Sequence, residues 1–242
     1  LLLSLPFANK SGHGNVFDSL FTATSATCVT GLVVADTYQN WTTFGQLVIL
    51  CMIQVGGLGF MTIGAYISVI LKKRIGLQER EQLQESVNTL EIAGVVRLVK
   101  KIVQGALGIE LLGAILLSFR LIPRFGVIKG IYYSLFHAVS AFCNGGFDLM
   151  GTEEAYSSLV AYEGDILVNL VIVTLILVGG IGFIVWDDVA RNKWHFKRYL
   201  LHSKIVITVT FLLTVAGTVF FLITEQDAAF AGMSPLEKFL GA

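Results

Sequence analysis

Two short uncharged strands are where this sequence could do chemistry: Cys28-Val29-Thr30-Gly31-Leu32 and Cys143-Asn144-Gly145-Gly146-Phe147. Neither contains a carboxylate, an imidazole or an amine, so the ligands they offer are main-chain carbonyl oxygens. Such oxygens replace the water shell of a monovalent cation. Gly31 and Gly146 hold equivalent places, as expected where a peptide must take φ above zero so that successive carbonyls point the same way. The equivalence extends well beyond two glycines. "SLFTATSATCVTGL", Ser19 to Leu32, returns as "SLFHAVSAFCNGGF", Ser134 to Phe147, with eight positions identical.

Other side chains invite chemistry less strongly. Cys28, Cys143 and Cys51 have neither a Cys-x-x-Cys pattern nor a histidine cluster beside them, so packing or a main-chain ligand role is expected in place of a disulfide or metal. His137 stands where Thr22 stands in the first copy and reads as a hydrogen-bonded packing residue. Glu110 is an ionisable group inside an apolar run. Such a group faces protein rather than lipid. It is either a neutral or paired carboxylate that fixes that run against a neighbouring helix or across a dimer, or a group with a functional role of its own. No nucleophile–base constellation supports an enzyme.

The segments that position the two strands are short. Val16–Thr27 and Ile131–Phe142 would each be a helix of twelve residues, rising about 18 Å against a hydrocarbon core of roughly 30 Å. They are too short to cross a membrane and too apolar for a surface loop, which predicts re-entrant half-helices. Irregular backbone at that depth is tolerated where protein buries it or where it lines a wet cavity.

The rest of the chain supplies the membrane. Residues are 55% hydrophobic and 14% charged, against about 25% charged in soluble domains. Long apolar runs at Phe44–Leu71, Ile102–Ile122, Ile166–Trp186 and Ile205–Ile223 predict spanning helices. The chain opens on "LLLSLPFA", expected to be the tail of a further span. A formal net charge of zero leaves no basic stripe for nucleic acid. Twelve of the 17 Lys and Arg lie between Lys72 and Lys101 or between Arg191 and Lys204. The positive-inside rule puts both segments in the cytoplasm, and the acidic stretches Gly151–Asp165 and Glu225–Asp227 outside.

A second repeated motif, "VGGLGF" (Val55–Phe60) and "VGGIGF" (Val178–Phe183), falls within the span that follows each half-helix. These glycines either allow close helix packing or form a gating hinge. Each repeat is then helix, half-helix, return strand, helix. Two full spans per repeat keep successive copies in one orientation, around an axis along the membrane normal; an inverted repeat would put its axis in the membrane plane. A half-helix pointing inward directs its negative C-terminal pole to that axis, which favours a cation.

"ATSATCVTGLVVADT" and "HAVSAFCNGGFDL" resemble the first and second pore loops of the Trk/Ktr/HKT superfamily of potassium and sodium uptake proteins, most closely the Ktr-type ion-translocating subunit. The resemblance implies an all-α membrane protein with four helix–pore helix–helix repeats around a central, potassium-channel-like pore, about two of them present here. Residues 1–71 would be the end of a first helix, the pore loop and the second helix of repeat one. Residues 72–101 would be a cytoplasmic linker, 102–186 repeat two and 187–204 a second linker. Residues 205–242 would be the first helix of repeat three up to its pore helix, which "MSPLEKFLGA" approaches. The chain is therefore expected to be part of a longer protein.

The resemblance further implies K+ passage through the filter residues Cys28–Leu32 and Cys143–Phe147, in a multi-pass plasma membrane protein with no organic cofactor. Na+ is a stimulating or alternative ion. The expected partners are the lipid bilayer, a second copy in a homodimer and a cytoplasmic ring of nucleotide-binding regulatory subunits. The amphipathic linker around Leu77, Leu83, Val87, Leu90, Val95 and Leu98 is either a membrane-surface helix or the contact for that ring. A sodium-permeable transporter of the same superfamily is the first alternative. A secondary transporter of another class is the second; it would need intramembrane ionisable residues for coupling, and Glu110 is the one candidate.

Overall fold

The computed structural model describes residues 2–12, 15–59, 62–64, 66–67, 95–152, 154–193, 195–226, 230 and 232–241. The linker residues Leu77, Leu83, Val87 and Leu90, and the side chains of Val95 and Leu98, lie outside the described residues. Among those described, the chain is all-helical with one isolated bridge, Asn9 to Trp41, and no strand.

Helix α1, Val16–Thr27, starts at Asn15, whose side chain accepts from the Phe17 N–H, and carries Asp18 in its first, positively polarised turn. The capped turn α2, Thr37–Asn40, leads into α3, Thr43–Leu58. A long helix α4, Val95–Phe125, folds back sharply into α5, Val127–Phe142, through Gly126. Gly130 allows this tight return, because a Cβ there would lie 2.6 Å from the Ile122 Cα. Then come α6, Ile166–Gly180, α7, Phe183–Asn192, α8, Leu201–Thr224, and the short α9, Pro235–Gly241.

Among the described residues, two helices are long and apolar enough to cross a bilayer by themselves: Val99–Phe125 and Leu201–Thr224. At about 1.5 Å per residue both exceed the roughly 30 Å hydrocarbon core. Outside-facing apolar side chains such as Phe211 and Leu213 on α8 suit a lipid solvent, in which an exposed leucine costs nothing.

The core sits where α1 packs on α3, α4 packs on α5 and α6, and α3 meets α5. Tyr132 of α5 donates through its hydroxyl to Gln46 Oε1 of α3 at 3.1 Å, a polar tie across that last contact. A second tie joins the segments that follow the two repeated strands. The Asp36 carboxylate caps α2 through the Gln39 N–H at 2.7 Å and also accepts from the Tyr156 N–H at 2.8 Å. Near α7, Asp188 accepts from Asn192 at 2.7 Å and from the Leu200 N–H at 2.8 Å, holding the start of α8 to α7.

Three expectations change here. The runs Phe44–Leu71 and Ile166–Trp186 are not uninterrupted helices. Gly59 takes φ +81° and ends α3; Gly182 takes φ +87°, and α7 leaves α6 at 99°. The third glycine of each repeated motif is thus a helix break, and Trp186 braces the second break by donating its indole N–H to the Val178 carbonyl at 2.8 Å. The opening run "LLLSLPFA" is not a continuous α-helix: it forms two short 3-10 turns, Leu2–Ser4 and Pro6–Ala8. Pro6 disfavours a continuous helix through Leu5, and Asn9 donates to the Leu3 carbonyl at 3.1 Å to close the turn. The second half-helix begins at Val127, one turn ahead of the expected Ile131.

Candidate ion-coordinating loops

Both repeated strands leave the C-terminus of a short helix by the same backbone route. Cys28 and Cys143 are in the right-handed helical region and cap α1 and α5. The next residues, Val29 at φ +56° and Asn144 at φ +58°, are left-handed, and so are Gly31 at +75° and Gly146 at +68°. A β-branched valine at positive φ is strained by about 1–3 kcal/mol, which surrounding contacts must offset. The sequence repeat therefore has a geometric counterpart, residue for residue.

The offsetting contacts come from a serine three residues before each cysteine. The Ser25 carbonyl accepts from the Thr30 N–H at 2.9 Å and the Ser140 carbonyl from the Gly145 N–H at 2.6 Å. The Ser25 hydroxyl donates to the Leu32 carbonyl at 2.7 Å, and the Ser140 hydroxyl to the Phe147 carbonyl at 2.6 Å. Ser140 also accepts from the Phe147 N–H at 3.0 Å. Each serine thereby clips the middle and the far end of its strand back onto its helix. Thr30 adds a hydroxyl contact to Ser25 in the first copy only.

The glycines then determine how closely the pieces approach. A Cβ on Gly56 would overlap the Thr27 carbonyl oxygen, and one on Gly179 would overlap the Phe142 carbonyl oxygen. The first glycine of each Gly-Gly-x-Gly motif therefore seats the last turn of its own short helix. Gly57 seats the other copy: a Cβ there would run into Cys143 Cβ and Sγ. The two strands themselves meet at their glycines. A Cβ on Gly31 would sit 3.3 Å from the Gly146 Cα, and one on Gly146 2.9 Å from the Gly31 Cα. Gly31 and Gly146, distant in sequence, are brought into contact, with the negative ends of α1 and α5 at the strands they lead into.

Of the other residues singled out, His137 is buried and fully bonded. Its Nδ1–H donates to the Tyr133 carbonyl at 2.7 Å, and Nε2 accepts from the Leu149 N–H at 3.3 Å. One nitrogen donates and the other accepts, which is the neutral tautomer of a packing residue. Its counterpart Thr22 is buried with its hydroxyl unpartnered among the described residues. Cys28, Cys51 and Cys143 are free thiols, the first two exposed and the third buried. No group of three or more potential metal-ligating side chains occurs among the described residues. Glu110 is buried and accepts from Gln54 of α3 at 2.9 and 3.2 Å, so it joins α4 to α3.

Sequence reasoning overlooked Ser25, Ser140 and Gln54. The two serines were visible as identical positions of the repeat; only their hydroxyl geometry was not. Gln54 gave no signal, since nothing in the sequence pairs it with Glu110.

A model of the family described as a cation transport protein, TrkH, matches residues 2–233. The chain is similar to the potassium/sodium uptake protein NtpJ of Enterococcus hirae, with 46% identity over 227 residues, covering 93% of this chain and 49% of that protein. Identity to the Ktr system potassium uptake protein B of Bacillus subtilis is 47% over 224 residues, covering 92% and 49% of the two chains. The protein of the same name in Vibrio alginolyticus is 39% identical over 229 residues, covering 93% and 49%. The chain spans about half the length of these curated relatives. With its apolar spanning helices it is part of a multi-pass plasma membrane protein, and it belongs to the TrkH family of cation transport proteins.

Proposed function

We propose that the chain supplies two of the loops lining a potassium uptake pathway, and that main-chain oxygens of Cys28–Leu32 and Cys143–Phe147 coordinate the ion. The observation that carries this reading is the congruence of two uncharged strands that meet at Gly31 and Gly146. Left-handed residues alternate with others along each strand, so successive carbonyls are turned by the backbone and not by side-chain pull. The Leu32 and Phe147 carbonyls already accept from serine hydroxyls. The oxygens of the residues before them are therefore the principal ligands.

In this reading α1 and α5 are pore helices, whose negative poles lower the energy of a cation at the strands. The basic residues from Arg191 to Lys204 lie on the cytoplasmic side and the Asp165 end of α6 lies outside. Potassium is the main cargo. Sodium is a second ion, a reading supported by the potassium/sodium name of the Enterococcus hirae relative. The protein works as a homodimer in the lipid bilayer. The word "system" in the Bacillus subtilis name fits a cytoplasmic nucleotide-binding regulatory ring as a further component.

The test is tracer rubidium uptake into proteoliposomes holding the full-length protein, with sodium or potassium as competitor. Potassium should compete strongly and sodium weakly, and Gly31→Ser should narrow that difference while leaving the protein folded. Unchanged competition in Gly31→Ser would remove the strands from the pathway.

A further inference from the structure

We infer that Glu110 is a positioning residue for the second strand, holding its first residue, Cys143, against the other repeat and so setting how sharply the strand discriminates potassium from sodium. This rests on the pathway proposed above.

Glu110 lies in the middle of the 27-residue membrane-length part of α4 and is 2% exposed. A leucine would occupy this place without the desolvation penalty of a carboxyl group. The carboxyl is retained among specific partners. Gln54 Nε2 donates to Oε1 at 2.9 Å and is 3.2 Å from Oε2, so both oxygens face the α3 amide. Oε1 also faces the Cys143 Sγ at 3.8 Å, a thiol being a weak donor.

Gly57, one turn along α3 from Gln54, lies against the same cysteine. Cys143 is therefore seated on bare backbone at Gly57 and held laterally by the Glu110–Gln54 pair. Three separate segments converge on one atom group: α4 through Glu110, α3 through Gln54 and Gly57, and the strand through Cys143.

The consequence follows from how short the strand is. Ser140 fixes its far end at Phe147 through two hydrogen bonds. Glu110 and Gly57 fix its near end at Cys143. Asn144, Gly145 and Gly146 lie between the two anchors; the Gly145 N–H is held by the Ser140 carbonyl at 2.6 Å, which leaves the near anchor to set the direction of the carbonyls from Cys143 to Gly145. A ligand set held at one spacing distinguishes two alkali ions by size and field strength; one that can relax does so less well. The near end of the first strand is seated differently, with Thr27 and Val29 against Gly56 and Cys28 exposed among the described residues.

The experiment uses the full-length protein in proteoliposomes, with tracer rubidium uptake measured against increasing sodium. Glu110→Ala should let sodium compete about tenfold better, the scale expected when a buried hydrogen-bonded anchor is lost. Glu110→Gln, which keeps an acceptor oxygen for Gln54 and the thiol, should stay within about twofold of the parent. Gln54→Leu should show a shift in the same direction, and it carries the test if Glu110→Ala does not assemble. A role confined to helix packing would lower the yield of folded protein and leave the sodium competition of the surviving protein unchanged. That outcome in both Glu110→Ala and Gln54→Leu overturns the proposal. Gly146→Ser separates the two readings. If it too is silent, the pathway itself is wrong; if it alters competition while the Glu110 and Gln54 variants do not, only the positioning role falls.

Discussion

The two short helices and the strands behind them share eight of fourteen positions and the same backbone route, yet among the described residues they are held in different ways. Helix α5 buries ten residues, from Gly130 to Phe142, whereas α1 buries Ser19, Thr22, Ser25 and Ala26. Phe147 is buried at 2% exposure, and its counterpart Leu32 is 63% exposed. The second strand is tied by Ser140, His137 and the Glu110–Gln54 pair, the first by Ser25 and Thr30. Backbone geometry is therefore dictated by the parts the copies share: the serine, the cysteine cap and the glycine. The parts they do not share set what each copy packs against among the described residues. Within the described residues, α5 sits between α3, α4 and α6, while α1 packs on α3 and the opening turns.

The largest effect should come where the copies are alike. Gly179→Ala and Gly56→Ala each drive a Cβ into a carbonyl oxygen of the adjacent short helix. Both should cost about 3 kcal/mol or more, in the range of severe overpacking, and appear as loss of monodisperse protein in detergent. Tolerance of either alanine would break the equivalence of the two repeats.

Next in size are the strand glycines. Serine at either glycine meets an unfavourable positive φ; at Gly146 it also meets a 2.9 Å approach to the Gly31 Cα, against 3.3 Å approaches at Gly31. Sodium competition should change more in Gly146→Ser, by about tenfold or beyond, because its added Cβ makes the closer approach and its strand is seated at Cys143 on Gly57. Equal effects in the two variants would mean that the difference in anchoring has no functional weight.

Smaller again are the serine clips. Ser140→Ala removes a buried donor and a buried acceptor and should cost about 1–3 kcal/mol in a thermal melt. Ser25→Ala should cost less, about 0.5–1.5 kcal/mol, because its hydroxyl makes one bond to its strand's last residue where Ser140 makes two. The last pair, which contains the smallest single effect, is the sharpest. His137→Leu orphans the buried Leu149 N–H and should cost about 1–3 kcal/mol. Thr22→Val at the matching place should fall within about 0.5 kcal/mol, since its hydroxyl has no bond to lose among the described residues. A reversed order would contradict the assignment of His137 as a structural tie.

Much of this was legible in the sequence because the repeat reports backbone requirements, and backbone requirements are local. Val16–Thr27 is a helix with those same bounds, and Gly31 and Gly146 take the positive φ that their matched places imply. What escaped was either a bend or a long-range contact. Apolar runs register burial in lipid but not continuity, so Phe44–Leu71 and Ile166–Trp186 read as straight spans until Gly59 and Gly182 showed their φ values. The partners of Glu110 come from helices far apart in the chain, and no period or spacing encodes them. The clip by Ser25 and Ser140 lay between these cases: the residues were in view as identities, and their role needed coordinates.

The most direct test of the central claim is a structure of the full-length protein with thallium or rubidium, located by anomalous scattering. The account predicts an ion within coordination distance of main-chain oxygens on both strands, beside Gly31 and Gly146, with Glu110 and Gln54 unmoved behind Cys143. An ion held elsewhere by side-chain carboxylates, with both strands turned away from it, would contradict the account.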